Sequence, residues 1–263
     1  MTSKLESDKS NYKVVGDMFG AKSQQYRAFR PQYPQELFDI LEQFLDEKRD
    51  LALDVGCGSG QATTKLSTMF KKVIGTDPSE NQIKNAIQAE NIEYKVLPAE
   101  DSDLESNLFD LITVAQAIHW FNLPVFFQES KRLLRKDGIL AFWAYTGMKI
   151  NNNEEGQKIH QKFYDQVLVQ YLTPKLDMVN NGYRDIIPPF ENVTRKVFPY
   201  IRNMSIGGLL GFYSSLSGYQ KFILANPDPL PEIKESLIKT FNTTDLDAPV
   251  VEGYWDIYIV ICK

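Results

Sequence analysis

The stretch that decides the fold is LALDVGCGSG, residues 51–60. It has the pattern of a short buried strand that runs into three glycines at alternate positions, and a helix-like segment from Gln61 to Phe70 follows directly. Glycines let a backbone approach a ligand closely, and the start of a helix offers unpaired N–H groups. The stretch therefore predicts a small-molecule site at the end of a strand.

The glycine spacing bears on which cofactor would bind. Dinucleotide folds carry Gly-x-Gly-x-x-Gly, with a pyrophosphate on the helix end. This chain carries Gly-x-Gly-x-Gly, and Asp54 stands two residues before the first glycine. A carboxylate there is badly placed beside a pyrophosphate but well placed beside a ligand ammonium group. The glycine spacing and Asp54 therefore disfavour a nicotinamide oxidoreductase.

Composition sets the broad class of the protein. The chain has 263 residues, of which 43% are hydrophobic and 24% charged, which fits one large α/β domain or one domain with an insertion. The net charge of −5 argues against broad nucleic-acid affinity, because such affinity usually shows as a basic face. The polar start of the chain and the lack of a long apolar run predict a cytoplasmic protein without a membrane partner. The oligomeric state is left open.

Apolar runs alternate with helix-like segments between residues 72 and 145. Such alternation predicts a parallel sheet covered on both faces, with ligands bound at the carboxyl ends of its strands. A helix after the fourth run is expected to end at Arg135–Gly138, where basic residues precede a glycine. The predicted strands after the first are Lys72–Asp77, Asn91–Leu97, Phe109–Val114 and Ile139–Tyr145.

Asp77 ends the second predicted strand, 17 residues after Gly60. A carboxylate in this position can accept hydrogen bonds from both hydroxyls of a ribose, which suits NAD as well as S-adenosylmethionine (SAM). Alternatively, Asp77 only caps the helix that Pro78 opens. The spacing from the glycines favours the ribose role.

The second half of the chain is broken by prolines. Eight of the 13 prolines lie between Thr173 and Val250, which predicts short helical pieces. We expect one domain over residues 1–263, with an arm at 19–34, a cofactor-binding core at 35–146, a lid with the sixth strand at 147–250, and a last strand at 250–263. The predicted elements are a helix over Asn151–Leu172, a strand over Val193–Tyr200, a helix capped by Ser205, a helix over Ile233–Phe241 and a strand over Val250–Cys262.

Taken in order, the motifs resemble those of class I SAM-dependent methyltransferases. The likeness is to the type 11 branch, similar to trans-aconitate methyltransferases. It implies a doubly wound, mostly parallel seven-stranded sheet with a helical lid before the sixth strand, and SAM as cofactor. The motifs are residues 26–34, Asp54–Gly60, Gly75–Ser79, Ala99–Asp101, Ala117–Phe121 and Leu134–Gly138.

The resemblance also implies roles for particular residues. Asp54 would lie near the methionine moiety, and Gly56, Gly58 and Gly60 would pass under it. Ala99 and Glu100 would contact adenine. The remaining implied roles are Gln116 as a wall beside the methionine part, and Tyr26 and Arg30 as a cover over the cofactor.

Several residues are candidates for the side of the site that binds the methyl acceptor. His119 follows the fourth strand and is either a base or hydrogen-bond donor to the acceptor, or a histidine that shapes the pocket beside Trp120. Arg30, Arg27 and Arg184 could face a substrate carboxylate. His160 is expected on a helix surface, and neither histidine stands in a metal-ligand pattern. The leading hypothesis is a SAM-dependent methyltransferase acting on a small molecule, and the alternative is a SAM-binding interaction protein without turnover.

Overall fold

The computed structural model describes residues 32–171 and 173–263, which form an eight-stranded sheet and nine α-helices. Tyr26, Arg27 and Arg30, with most of the predicted arm, lie outside these residues. The first half supplies α1 (Gln35–Glu42), β1 (Leu51–Val55), α2 (Gln61–Leu66), β2 (Lys72–Asp77), α3 (Glu80–Lys84), β3 (Ile92–Val96), β4 (Phe109–Ala115), α4 (Leu123–Leu133) and β5 (Leu134–Tyr145). The second half supplies β6 (Lys149–Ile150), α5 (Glu154–Phe163), α6 (Pro174–Asn180), β7 (Val193–Met204), α7 (Ile206–Ser214), α8 (Ser217–Phe222), α9 (Leu230–Phe241) and β8 (Val251–Cys262).

The sheet is mostly parallel, as the sequence predicted. Strands β1 to β5 run parallel in the order β3-β2-β1-β4-β5. Strand β8 is antiparallel to β5, and β7 is antiparallel to β8 along its whole length. The prediction of seven strands is one too few, because β6 pairs with the start of β8. Two residues are too short a strand to leave a signal in the sequence.

Two apolar layers cover the sheet. On one face Leu53 and Phe142 pack in a first core with Phe126 and Phe127 of α4. On the other face a second core joins alternate strand residues to α1 and α2, among them Ala52, Leu111, Trp143, Leu37, Leu41 and Ala62. Burial on both faces explains why the central strands are continuous apolar runs in the sequence.

The helices of the second half lie before and after β7 in the sequence. Helices α5 and α6 precede that strand, whereas α7, α8 and α9 follow it. Helices α5, α7, α8 and α9 build a third core with β6 and the start of β8, in which Phe163, Leu209, Leu237 and Trp255 are buried. Val179 of α6 is buried in the first core instead. The helix predicted over 151–172 begins three residues late and passes after α5 into a π-helix at Tyr164–Leu168 and a 3-10 turn at Val169–Tyr171.

His160 is buried in the third core, so the prediction of a surface position is wrong. It lies on α5 with Gly156 and Phe163, and these three residues form the buried stripe of that helix. The ring nitrogens are 2.7 Å (Nδ1) from the Tyr213 hydroxyl and 2.8 Å (Nε2) from the Met148 carbonyl oxygen. Both polar atoms of the ring are paired, and this offsets the cost of burying them.

The end of α4 also differs from the prediction. The helix stops at Leu133, and the residues expected to close it belong to β5 instead. Asp137, not the following glycine, has a left-handed backbone, with a φ of +67°. A Cβ at Gly138 would lie 2.7 Å from the carbonyl oxygen of Phe109, so Gly138 permits the close approach of β5 to β4.

Some features are missing from the part of the chain that the structure describes. None of its helices is both long and apolar enough to span a bilayer. Within residues 32–171 and 173–263, no group of three or more His, Cys, Asp or Glu side chains is placed to hold a metal ion.

Cys57 and Cys262 are buried free thiols, and burial raises the pKa of both. A thiol held in its protonated form is a poor nucleophile.

Candidate active site

The carboxyl ends of the parallel strands bring four loops together. The backbone N–H of Gly58, after β1, donates to Asp77 Oδ2 at 3.0 Å, at the end of β2. A Cβ at Gly56 would lie 2.8 Å from the Cβ of Ala117, in the loop after β4. These contacts join the loops of three neighbouring strands. The loop after β3 is tied in through Glu100, described below.

The glycine turn needs its glycines for different reasons. Gly56, Gly58 and Gly60 have φ values of +67°, +53° and +86°, in the region that other residues rarely adopt. At Gly60 a Cβ would overlap the hydroxyl of Tyr94, whose ring fills the space under the turn. At Gly58 a Cβ would meet no atom of the described residues within 4 Å, its chain neighbours apart. Gly58 therefore leaves its backbone open to a ligand, whereas Gly60 makes room for the half-buried side chain of Tyr94.

Asp77 connects the glycine turn to β2. Its Oδ2 accepts the Gly58 N–H, and its Oδ1 accepts the Ser79 N–H at 2.9 Å. Burial raises the pKa of Asp77, and these two N–H groups oppose that rise. Ser79, not Asp77, caps α3 through a hydrogen bond from Gln82 N–H. Each carboxylate oxygen keeps a lone pair, so Asp77 retains the capacity to accept two ribose hydroxyls.

Asp54 lies beneath the glycine turn and is fully buried. Thr63 Oγ1 donates to Asp54 Oδ2 at 2.6 Å, and Thr113 Oγ1 donates to Oδ1 at 2.8 Å. Burial raises the pKa of Asp54 to about 6, and the neighbouring charge of Asp77 adds to the rise. Its predicted place near the methionine moiety stays a prediction. From this buried position, its charge would act on a ligand through a medium of low dielectric constant.

Replacing Asp54 with Asn should make the SAM-free protein more stable at pH 7, by roughly 1–3 kcal/mol. The carboxyl binds its proton more tightly in the folded state, with a pKa of about 6, than in the unfolded chain, where the value is 3.8. Its contribution to stability is therefore present below about pH 4 and is lost as pH rises through about 6. The amide has no charge to lose, and Thr63 and Thr113 can still bond to it.

Denaturant unfolding at pH 7 and pH 4 measures this effect. The difference in free energy of unfolding between Asp54→Asn and the parent should shrink at the lower pH. A difference that is absent at pH 7, or that is equal at the two values, would contradict the assigned pKa. The same variant should bind SAM more weakly, since the cofactor carries an ammonium and a sulfonium group.

Two glutamines at the carboxyl ends of the strands have buried amide nitrogens that find no partner among the described residues. No hydrogen-bond partner reaches the buried Nε2 atoms of Gln61 and Gln116 within residues 32–171 and 173–263. Gln116 also has a φ of +56°, and its N–H donates to the Trp143 carbonyl at 2.9 Å. An unsatisfied buried amide costs roughly 1–3 kcal/mol, and left-handed backbone at a non-glycine residue costs a similar amount. A polar ligand at this edge would satisfy the two amides.

The loop after β3 holds Ala99 and Glu100. Ala99 is buried against the first core. Glu100 Oε1 accepts the backbone N–H of Asn122, the N-cap residue of α4, at 2.8 Å. The side chain of Glu100 therefore joins the loops after β3 and β4. Contact of Ala99 and Glu100 with adenine stays a prediction.

His119 lies in a 3-10 turn, Ile118–Trp120, directly after the loop that holds Gln116. It is buried, and its Nδ1 is 2.9 Å from the hydroxyl of Tyr183. Burial lowers the pKa of His119 to about 4, and the charge of Lys175 lowers it further. The imidazole is therefore neutral at pH 7.

A lysine that the sequence analysis did not single out lies next to Trp120. Lys175 Nζ, at the start of α6, is 3.1 Å from the Trp120 carbonyl oxygen and 5.3 Å from the centre of its ring. Arg184 is exposed and follows Tyr183 in the chain. The site thus has two carboxylates at the glycine turn and a cation beside Trp120.

Comparison with known proteins identifies the family. A model of the methyltransferase domain matches residues 53–142, which contain the glycine turn, Asp77 and His119. A Dictyostelium discoideum protein named as a methyltransferase is 51% identical over 94% of this chain and 95% of its own. A Saccharomyces cerevisiae protein named as a probable SAM-dependent methyltransferase is 34% identical over 92% of this chain and 95% of its own. The chain belongs to the class I SAM-dependent methyltransferases.

A solved structure supports the same family. A protein from Anaeromyxobacter dehalogenans, described as a type II methyltransferase, superposes with a TM-score of 0.77 at 30% identity, and the match covers 90% of this chain and 98% of that one. The predicted methyltransferase fold and SAM cofactor are thereby confirmed. The finer likeness to trans-aconitate methyltransferases is not carried by these relatives and stays a prediction.

The site of this methyltransferase fits SAM. The space at Gly58 admits a ligand against the backbone. The amide nitrogens of Gln61 and Gln116, which have no partner in the described part of the chain, can bind the polar groups of that ligand. The carboxylates of Asp54 and Asp77 favour a ligand that carries positive charge. Neither SAM nor this donor set requires a metal ion.

Proposed function

We propose that this methyltransferase transfers the methyl group of SAM to a carboxylate of a small molecule. The observation that carries the proposal is Lys175, which places an ammonium group against Trp120 in the turn that holds His119. A carboxylate is ionised near neutral pH, so it needs no base to become nucleophilic. An ammonium group attracts it and does not have to remove a proton.

The proposed cofactor site is the open side of the glycine turn. There Asp77 accepts the ribose hydroxyls, and Gln116 binds the polar end of the methionine part. His119 faces the acceptor as the catalytic residue, and Trp120 and Arg184 line its site. The other proposed cofactor contacts are Asp54, Gly56, Gly58, Gly60, Ala99 and Glu100, with Tyr26 and Arg30 from the arm, and Arg27 is a further proposed contact of the substrate.

We also propose that the segment of residues 147–250 covers the acceptor site within one domain. The support is that two of its residues contact the turn after β4. Tyr183 contacts His119, and Lys175 contacts Trp120. A cover of this kind excludes water from the reacting groups.

The chemistry asked of the protein is modest. Bound SAM supplies a methyl group that is already activated on a sulfonium. The residues of the chain then have to bind the acceptor, align its oxygen and keep water out. Lys175 binds the acceptor. Trp120 and the segment of residues 147–250 align the acceptor oxygen and keep water out.

A labelling assay tests the acceptor class. The protein is incubated with methyl-labelled SAM and with separate panels of small carboxylic acids, amines and phenols. We expect transfer to carboxylic acids, and we expect mild alkali to release the label as methanol, because esters hydrolyse and methylamines and aryl ethers do not. Label that stays on the product in alkali would refute the carboxylate proposal without questioning SAM-dependent transfer.

Lys175→Gln should raise the KM for the carboxylate acceptor about three- to tenfold and change kcat little, since an exposed cation contributes mainly to binding. Lys131→Gln is the matched control, because Lys131 Nζ lies 5.0 Å from the ring centre of Phe190 on another surface. Steady-state kinetics of both variants measure the effect. Equal KM values in Lys175→Gln and the parent would remove Lys175 from the acceptor site.

A further inference from the structure

The Tyr183 hydroxyl has one partner in the described part of the chain. That partner is His119 Nδ1, at 2.9 Å. Tyr183 is fully buried, and burial raises its pKa well above the usual value, so the phenol keeps its proton. A buried phenol O–H needs an acceptor, because leaving it unpaired forfeits the hydrogen bonds that water would supply. His119 Nδ1 is the acceptor that the structure offers.

The alternative arrangement is less favourable. If Nδ1 carried the proton and donated it to Tyr183, the phenol proton would have no acceptor within residues 32–171 and 173–263. With Nδ1 as acceptor, the neutral ring must carry its proton on Nε2. No residue in the described part of the chain pairs with Nε2, so that N–H is available to a ligand.

His160 provides an internal reference for this arrangement. Its Nε2 is 2.8 Å from the Met148 carbonyl oxygen, which can only accept, so Nε2 carries the proton. Its Nδ1 is then the acceptor for the Tyr213 hydroxyl at 2.7 Å. The same pairing of a buried tyrosine with Nδ1 therefore occurs twice in this protein.

Tyr183 is firmly held in its place. It has a φ of +55°, which is rare for a bulky residue and persists only where the surroundings impose it. Its N–H donates to the Met178 carbonyl, and its own carbonyl accepts from Arg195 Nη1 at 3.0 Å. Its ring packs against Phe142 and Tyr258, with centroids 5.8 Å away in each case. A residue fixed in this way can fix its partner.

We propose that Tyr183 is a positioning residue that holds His119 in the Nε2–H tautomer, so that His119 presents a hydrogen-bond donor, not a base, to the acceptor substrate. The part concerning the substrate rests on the proposed function. A donor suits an acceptor that is already ionised, since it orients one carboxylate oxygen and removes no proton. Among the described residues, the charged group that acts on His119 is Lys175. The titratable group that acts on Tyr183 is Tyr258.

Long-range proton–nitrogen NMR of the imidazole rings tests the tautomer without substrate or cofactor. The chain has only two histidines, and His119→Gln identifies the signals of His160. At pH 7 both rings of the parent should show a protonated Nε2 and an unprotonated Nδ1. A protonated Nδ1 at His119 in the parent would overturn the proposal, whatever the variants do.

Two tyrosine variants form a matched pair. Tyr183→Phe should convert the His119 signals to a mixture of tautomers. Tyr213→Phe should leave His160 as Nε2–H, because the Met148 carbonyl still holds that proton. An unchanged His119 tautomer in folded Tyr183→Phe would show that Tyr183 does not set it. If that variant does not fold, the spectrum of the parent still decides the tautomer.

Activity then separates a donor from a base. A glutamine at position 119 can still offer an N–H, whereas a leucine cannot, so His119→Gln should retain at least about tenfold more kcat than His119→Leu. Equal loss in the two variants would favour a base and contradict the donor role. The NMR result stands even if the acceptor is not a carboxylate, so failure of the tautomer and failure of the proposed function give different results.

Discussion

Gly58→Val should abolish measurable SAM binding and leave most of the fold in place. A Cβ added at Gly58 would meet no atom of residues 32–171 and 173–263 within 4 Å except its chain neighbours, and a branched side chain would fill that space. The left-handed φ of +53° adds strain, because a β-branched residue disfavours that conformation. We expect affinity to fall by roughly 100-fold or more, measured by titration calorimetry with thermal unfolding in parallel.

Gly182→Val separates strain from blocked space. Gly182 also has a left-handed φ, of +73°, and a Cβ there would make only ordinary contact with Tyr258, at 3.5 Å. Both variants should lose stability from backbone strain, but only Gly58→Val should lose SAM. Normal SAM affinity in folded Gly58→Val would show that the glycine turn is not the cofactor site.

Asp77→Ala should weaken SAM binding about tenfold or more, because hydrogen bonds to a charged acceptor contribute roughly 1.5–3 kcal/mol each. The carboxylate stands at the end of β2 and already orients the turn through Gly58 N–H. Its loss therefore removes the proposed ribose acceptor and loosens the turn. Calorimetry with SAM measures the loss of affinity, and the melting temperature reports the loss of stability.

Asp110→Ala is the control for the structural part of this effect. Asp110 is also buried, and its Oδ2 accepts the N–H groups of Asp50 and Leu51 at 2.8 Å each. It stands at the start of β4, and therefore at the amino ends of the parallel strands, away from the glycine turn. We expect it to lose stability without losing SAM affinity. If both variants lost affinity equally, the ribose role of Asp77 would be unsupported.

The part of the site at the carboxyl ends of β1 and β2 was predictable, because the residues that mark it lie close together in the sequence. A strand, three glycines and an acid at the end of the next strand lie within 27 consecutive residues, 51–77. The topology of a parallel sheet then brings these ends together without knowledge of side-chain packing. The sequence could not show that position 60 needs glycine to make room for Tyr94, since Tyr94 reaches Gly60 from another strand.

The acceptor side depends on contacts that are distant in sequence. Tyr183 is 64 residues from His119, and Lys175 is 55 residues from Trp120. Both residues lie in or next to a short helix of a proline-broken region, where apolar periodicity is weak. His160 was misplaced for a related reason. A histidine counts as polar in a helical pattern, and its burial depends on two partners, Tyr213 and Met148, that the pattern does not show.

The pairing of β8 has a consequence for how the protein is made. This strand follows every other strand in the sequence, yet it lies between β5 and β7. While the ribosome is still translating residues 251–262, the apolar edge of β5 has no neighbour. Exposed strand edges pair readily with other chains. The nascent protein therefore passes through a stage that is open to aggregation, and a stop codon just before Val251 would make that stage permanent.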